Sequence, residues 1–348
     1  MDVREYLHWV RSPYAIFTTE SRPPELDCVF RLYDDMLYHY DLELENPLNL
    51  VLTQSRSEFS TQFIMTDSPY IVLEMQEIQR ISQVMEYFAL HEIDLDVPIS
   101  HFHALWIEHH QQYEFIGQMD VGDGKPTRLS ILTTDKLRLA HRSPLFQKLS
   151  ESALLEPFCK LEGFQAAFEI IPAFAIAHEI AHFEYGRATS DDKTAVFEFV
   201  DGLPTKHRGG GYFLDLIRPE GLLLSPHLNE ELYCDFSAIL TAYRLCVGRH
   251  WIDERLFCVA LVQMFNAIFF HLMLQGCVDK NRYDELRIRK GFGLLLALDC
   301  LENESKARDL YTDYERFLGL LDLYCVSLCV TLRVRPESFS AIAELPDH

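Results

Sequence analysis

Basic side chains are scarce in this 348-residue chain: 31 Lys and Arg stand against 53 Asp and Glu, a formal net charge of −22. A field of that sign repels phosphate backbones and anionic membrane surfaces, so nucleic-acid binding is excluded and protein or peptide partners are expected. No CxxC pair occurs. The nine cysteines are scattered, odd in number and mostly set inside apolar segments, which suits buried thiols in a reducing compartment rather than a disulfide framework. A cytoplasmic location is therefore expected. The opening stretch, MDVREYLHWVRSPY, alternates charge with aromatics and has no apolar run followed by a small-residue cleavage site, so no signal peptide is expected.

Long apolar runs are nearly absent as well. The one stretch of membrane length, Leu256 to Val278, contains Gln263, Asn266, His271 and Gln275. It reads as a buried helix, and a membrane-embedded enzyme is the less favoured alternative. Residues 291–301 and 317–332 are too short or too interrupted to span. Internal repeats and low-complexity tracts are missing too. What remains is a chain with 48% apolar residues, enough for a substantial core.

The first half mixes signals. Residues 47–53 (PLNLVLT) and 70–75 (YIVLEM) read as strands, and Ile78, Ile81, Val84, Met85 and Phe88 recur at helical spacing behind the second of them. A further helix is expected over His101 to Tyr113, and residues 120–132 read as a Gly-rich turn leading into a strand. Gly122-Asp123-Gly124-Lys125 lacks the spacing and the Ser or Thr of a phosphate loop. From Pro172 onward helical patterns dominate, interrupted by a stretch from Arg187 to Leu224 that reads as loop-rich and suits a lid or recognition segment. The expected fold class is α+β, with a small N-terminal sheet and a mainly helical C-terminal half. Residues 1–160 form the part that carries the sheet. Residues 161–348 form the helical part, and the two make one catalytic unit.

The chemistry is concentrated in His178-Glu179-Ile180-Ala181-His182. Two histidines four residues apart project from one helix face, and the glutamate stands beside them, as a hydrolytic metal site requires. Pro172 suits the first turn of this helix and Gly186 the position just past its end. Ile176, Ile180 and Phe183 supply an opposite stripe for the core. HExxH occurs by chance elsewhere, so a third ligand is needed. The HExxHxxGxxH solution is excluded, because Tyr185 and Ala188 stand where Gly and His would be.

A later helix offers a carboxylate in Glu231-Leu232-Tyr233-Cys234-Asp235. Leu232, Phe236, Ile239, Leu240 and Tyr243 make its apolar stripe, and Glu231, Asp235, Ala238 and Ala242 line the edge of that stripe within about 60° of one another. Glu230, Cys234 and Arg244 are expected to project toward solvent. Glu231 is thus the metal ligand of choice. Asp235, one turn on, is placed to accept a hydrogen bond from a ligating imidazole. Ser225-Pro226 suits a cap and first turn.

HEIAHFEYG followed by ELYCDFSA resembles the gluzincin-type zinc peptidases and, as a narrower likeness, the Lit-type intracellular peptidases of phage exclusion. The resemblance implies a zincin fold, one Zn2+ held by His178, His182 and Glu231, and Glu179 as general base to a metal-activated water. It also implies an edge strand that holds the substrate extended, for which YIVLEM is the candidate. Cys234 and Arg187 depart from common family residues without removing a ligand. Some related peptidases carry a His-Pro…Arg element near the site, and Arg287 and Arg289 are the candidates for its Arg, but no His-Pro precedes them. Tyr212, His227 and Tyr233 are candidate stabilisers of the oxyanion. The expected activity is endopeptidase cleavage of a protein or peptide, in a defence or signalling setting. A catalytically silent zinc-binding regulatory protein on the same scaffold is the alternative. His101, His103, His109 and His110 read as surface residues rather than a second metal site, and His271 as a core histidine.

Overall fold

The computed structural model describes residues 3–11, 13–40, 48–55, 61–65, 68–75, 77–78, 81–82, 161–206, 226–249, 252–275 and 280–303. In chain order these hold α1 (Val3–Arg11), β1 (Pro13–Phe17), a short 3-10 turn, α2 (Asp27–Tyr40), β2 (Asn49–Ser55), β3 (Gln62–Met65) and β4 (Pro69–Glu74). There follow α3 (Leu161–Arg187), α4 (Ser190–Lys206), α5 (Pro226–Cys246), α6 (Glu254–Gln275) and α7 (Lys280–Asn303). A small mixed sheet with a helical remainder agrees with the expected α+β class. The chain divides into two compact units that interleave along the sequence: Met1–Gln79 with Ala166–Phe257, and Arg80–Gln165 with Cys258–His348.

The sheet of the first unit has the order β1-β2-β4-β3. Strands β2 and β4 are its centre and pair in parallel, Leu50 opposite Ile71 and Leu52 opposite Leu73. Both carry continuous aliphatic runs, as strands covered on both faces do, and Val51, Leu52, Ile71, Val72 and Leu73 are all buried. Alternation sends Val51 and Val72 to the face covered by α1, where they cluster with Ile64, Val3 and Leu7. Spacing of Val3, Tyr6 and Leu7 along one side of α1 makes that contact possible, while Trp9 turns outward.

Strand β4 ends on a buried carboxylate. Glu74 accepts hydrogen bonds from the Ser55 main-chain N–H at 3.0 Å, the Ser55 hydroxyl at 2.8 Å and the Thr53 hydroxyl at 2.9 Å. Its charge is thus met by three donors from β2, which fixes the ends of the two central strands together.

Strand β3 crosses from β2 to the far edge and returns through a hairpin into β4, with Phe63 opposite Ile71. The strand YIVLEM, expected at the edge, is therefore internal, and the edges of the sheet are β1 and Gln62–Met65, the latter on the side of the HExxH helix. Four residues behind a short polar run gave too little alternation to register as a strand. The helix expected from Gln76 and the elements expected at 101–113 and 120–132 lie largely or wholly outside the described residues.

Two further corrections concern helices. The HExxH helix does not begin near Pro172: α3 starts at Leu161 and carries Pro172 in its interior. A proline there forfeits one main-chain hydrogen bond, which a helix of 27 residues tolerates. Part of the stretch expected as loop is α4. Its start is a capping box that the sequence holds in Thr189-Ser190-Asp191-Asp192. The Thr189 hydroxyl accepts from the Asp192 N–H at 3.3 Å, and the Asp192 carboxylate accepts from the Thr189 N–H at 3.1 Å. The Phe199 ring of α4 then packs on Phe236 of α5 at 5.2 Å. Residues 207–224 lie outside the described residues.

In the second unit α6, from Cys258 on, packs against α7. The Cys258 thiol donates to the Ala297 carbonyl at 3.2 Å, and a Cβ at Gly293 would stand 2.5 Å from the buried Phe265 ring. Glycine is what permits the approach. The helix α6 is apolar on most sides, and α7 is buried all round from Gly291 to Cys300 behind a charged first half. Among the described residues no helix is long and apolar enough to cross a membrane.

Candidate metal centre

Helices α3 and α5 of the first unit present the site. Ile176 and Ile180 of α3 are fully buried, and Phe183 is nearly so, as the opposite stripe requires. That packing fixes the helix about its own axis and turns His178 and His182 the other way, with ring centroids 4.9 Å apart. On α5 the four residues assigned to the inward edge are all buried: Glu231, Asp235, Ala238 and Ala242. Pro226 opens this helix at a position where its missing N–H costs nothing.

His178, His182 and Glu231 form a group able to hold a metal ion, with one donor atom from each lying within 4.8 Å of the others. His178 Nε2 is 3.5 Å from one Glu231 carboxylate oxygen, and His182 Nε2 is 3.5 Å from the other. The same nitrogen of each ring faces the same carboxylate. Behind each ring stands a second one. His178 Nδ1 lies 3.0 Å from Asp235 Oδ1, close but off the direction of a well-aligned N–H bond. His182 Nδ1 is hydrogen-bonded to Glu230 Oε1 at 2.9 Å. The site is thus two imidazoles between one shared inner carboxylate and two separate outer ones.

The expectation that Glu230 and Cys234 face solvent fails for Cys234 and holds only in part for Glu230, which is partly exposed yet meets His182. Cys234 is fully buried, and burial pushes its thiol well above the ordinary range, ahead of the nearby Asp235, Glu231 and Glu230 charges. Near its start α5 meets α4 through Phe236 and α3 through Tyr233 and the contacts of its carboxylates with the two histidines; Arg244, further along, is exposed as expected. A signal for Glu230 did exist in the sequence. Two ligating imidazoles need two outer acceptors, and near Glu231 this helix offers Glu230 and Asp235.

Glu179 is buried beside the donors. Burial pushes its carboxyl up to about 7, while His178 and a hydrogen bond from the Phe63 main-chain N–H pull it down. That N–H belongs to β3, whose Phe63 ring also meets the edge of Phe183 at 5.6 Å. The edge strand of the sheet therefore touches the HExxH helix at the glutamate and one residue past the second histidine. His182 is held below its ordinary value, by burial first and by the neighbouring His178 second. A neutral imidazole with a free lone pair is the form that ligates a metal.

Of the residues considered for the oxyanion, His227 is mostly exposed and its Nδ1 stands 3.9 Å from Glu231 Oε1. Tyr233 projects to another side of α5, where its ring meets Tyr185 at 5.2 Å. Tyr185 in turn carries the Lys193 ammonium over its face at 3.9 Å, which ties α4 to α3. Tyr212 and the histidines at 101, 103, 109 and 110 lie outside the described residues, and Arg287 and Arg289 lie on α7 in the second unit.

No family model, no curated protein and no solved structure matches the chain.

Proposed function

We propose that this chain is a zinc-dependent endopeptidase of the gluzincin kind, acting on a protein or peptide. The observation that carries the reading is the convergence of His178, His182 and Glu231 within 4.8 Å, with Glu179 buried at their side. Zinc bonded tetrahedrally to nitrogen and oxygen at its usual lengths sets neighbouring ligand atoms about 3.3 to 3.6 Å apart. Each imidazole Nε2 lies 3.5 Å from a different oxygen of the Glu231 carboxylate, so the carboxylate as a whole, rather than one oxygen, meets that spacing. Two nitrogens and one carboxylate oxygen are also a donor set typical of catalytic zinc, which leaves a coordination position open.

Zinc at these donors would supply Lewis acidity and bring the acidity of water near neutral pH. Glu179 is the group placed to take a proton from the attacking water and deliver it to the leaving amine. Its buried carboxyl, raised to about 7, suits proton transfer in both directions near neutrality, and a neighbouring dication would draw it lower. The Phe63 N–H holds that carboxylate in place. Strand β3 is an edge of the sheet, and an extended peptide could add there as a further strand. A defence or signalling role for such an enzyme, related to the Lit-type peptidases, belongs to the same reading.

The test is metal content together with turnover. Purified protein is expected to hold about one zinc, and Glu231→Ala is expected to lose it. Glu179→Gln is expected to keep zinc while peptide cleavage falls at least about 100-fold. Absence of metal from the unsubstituted protein would end the proposal. Zinc bound without any cleavage by the unsubstituted protein, across a peptide library, would favour the silent regulatory scaffold.

A further inference from the structure

The two halves of the site differ in their access to water. The His178 and Asp235 side chains are 9% and 0% exposed, whereas those of His182 and Glu230 are 18% and 36% exposed. The His182 pair makes an aligned imidazole–carboxylate hydrogen bond, Nδ1 to Oε1 at 2.9 Å. A carboxylate accepts and cannot donate, so in a neutral His182 the proton is kept at Nδ1 and the lone pair at Nε2. That lone pair is the one directed toward Glu231. Glu230 therefore selects both the tautomer and the ring orientation that a cation needs, and it does so at the solvent-facing side of the donor set.

We propose that Glu230 is a positioning residue for His182 and sets the rate at which a cation leaves the site. The inference rests on the metal-site reading above and goes beyond it. His178 is enclosed and cannot swing away without disturbing Asp235 and the core. His182 can rotate toward solvent once its outer hydrogen bond is broken. Release then proceeds by detachment of His182, and the strength of the Glu230 contact governs how often this happens.

The experiment measures zinc affinity and the rate of zinc release to a chromogenic chelator, for the unsubstituted full chain, Glu230→Ala and Glu230→Gln. Glu230→Ala is expected to weaken zinc binding by about 10- to 100-fold, most of it as faster release. Glu230→Gln is expected to recover part of the loss, because the amide oxygen accepts the same hydrogen bond. The visible spectrum of the cobalt-substituted protein should keep its tetrahedral bands in Glu230→Gln and broaden in Glu230→Ala. Unfolding of the metal-free proteins should be alike, since Glu230 is partly exposed and packs no core.

Equal release rates for Glu230→Ala and the unsubstituted protein, with Glu231→Ala still abolishing binding, overturn this inference and leave the metal site intact. A loss of affinity carried by slower association, or a Gln variant no better than Ala, overturns it also. An unsubstituted protein that binds no zinc removes the site reading itself, and this inference with it.

Discussion

Glu179 carries opposite demands at a single residue. The proposed role beside a metal needs it enclosed, yet enclosure favours its neutral form, so its carboxyl rises from 4.5 to about 7 in the folded protein. A carboxyl raised on folding contributes stability that is fully present below its unfolded value and is lost as pH rises through the folded one. The metal-free protein should accordingly gain stability from Glu179→Gln as pH goes from 5 to 8, by on the order of 3 kcal/mol at the upper end. Urea unfolding of both proteins across that range checks it, and a difference that does not change with pH would count against the buried carboxyl. Comparing the variant with its parent is needed because His182, held low, works the other way: its contribution is lost as pH falls through its own ordinary range.

At the scale of elements, the sheet and two helices meet at one place. Strand β3 reaches the HExxH helix through Phe63, and β3 is kept in place by its hairpin to β4 and by the Thr61 N–H, which donates to Glu77 at 2.6 Å. The stability of β4 is therefore felt at the site. Glu74, at its end, satisfies three donors of β2, and Glu74→Leu would leave them buried without an acceptor. The expected loss is about 3 kcal/mol or more, read as a lower urea midpoint with an unchanged slope. An unaltered midpoint would show that the network does not hold the strands. The strands LVL and IVL were legible because central strands are continuously aliphatic. The edge strand β3 was not, because edge character is a property of pairing order and leaves little trace in four residues.

Charge acts on the whole molecule. A net charge of −22 spread over 348 residues opposes compaction, and the repulsion is screened over about 8 to 10 Å at ordinary ionic strength. Raising sodium chloride from low to physiological concentration should increase the melting temperature, and a decrease would mean that specific ion pairs outweigh the general repulsion. Composition alone gives this expectation.

The α+β class, HExxH on a helix, Glu231 in preference to its neighbour, and Asp235 behind an imidazole were all determined by the sequence. Each follows from a period: 3.6 residues per turn phases side chains on one helix, and two strands announce themselves by aliphatic runs. What only the tertiary structure decided concerns relations between elements. Phase on α5, measured against its own apolar stripe, sends Glu230 toward solvent, and that reckoning cannot include the position of α3. Once the helices lie side by side, the residue before Glu231 reaches the second imidazole as readily as Asp235 reaches the first. HEIAH thus meets three carboxylates of one facing helix, and helical period reaches only as far as the helix that carries it.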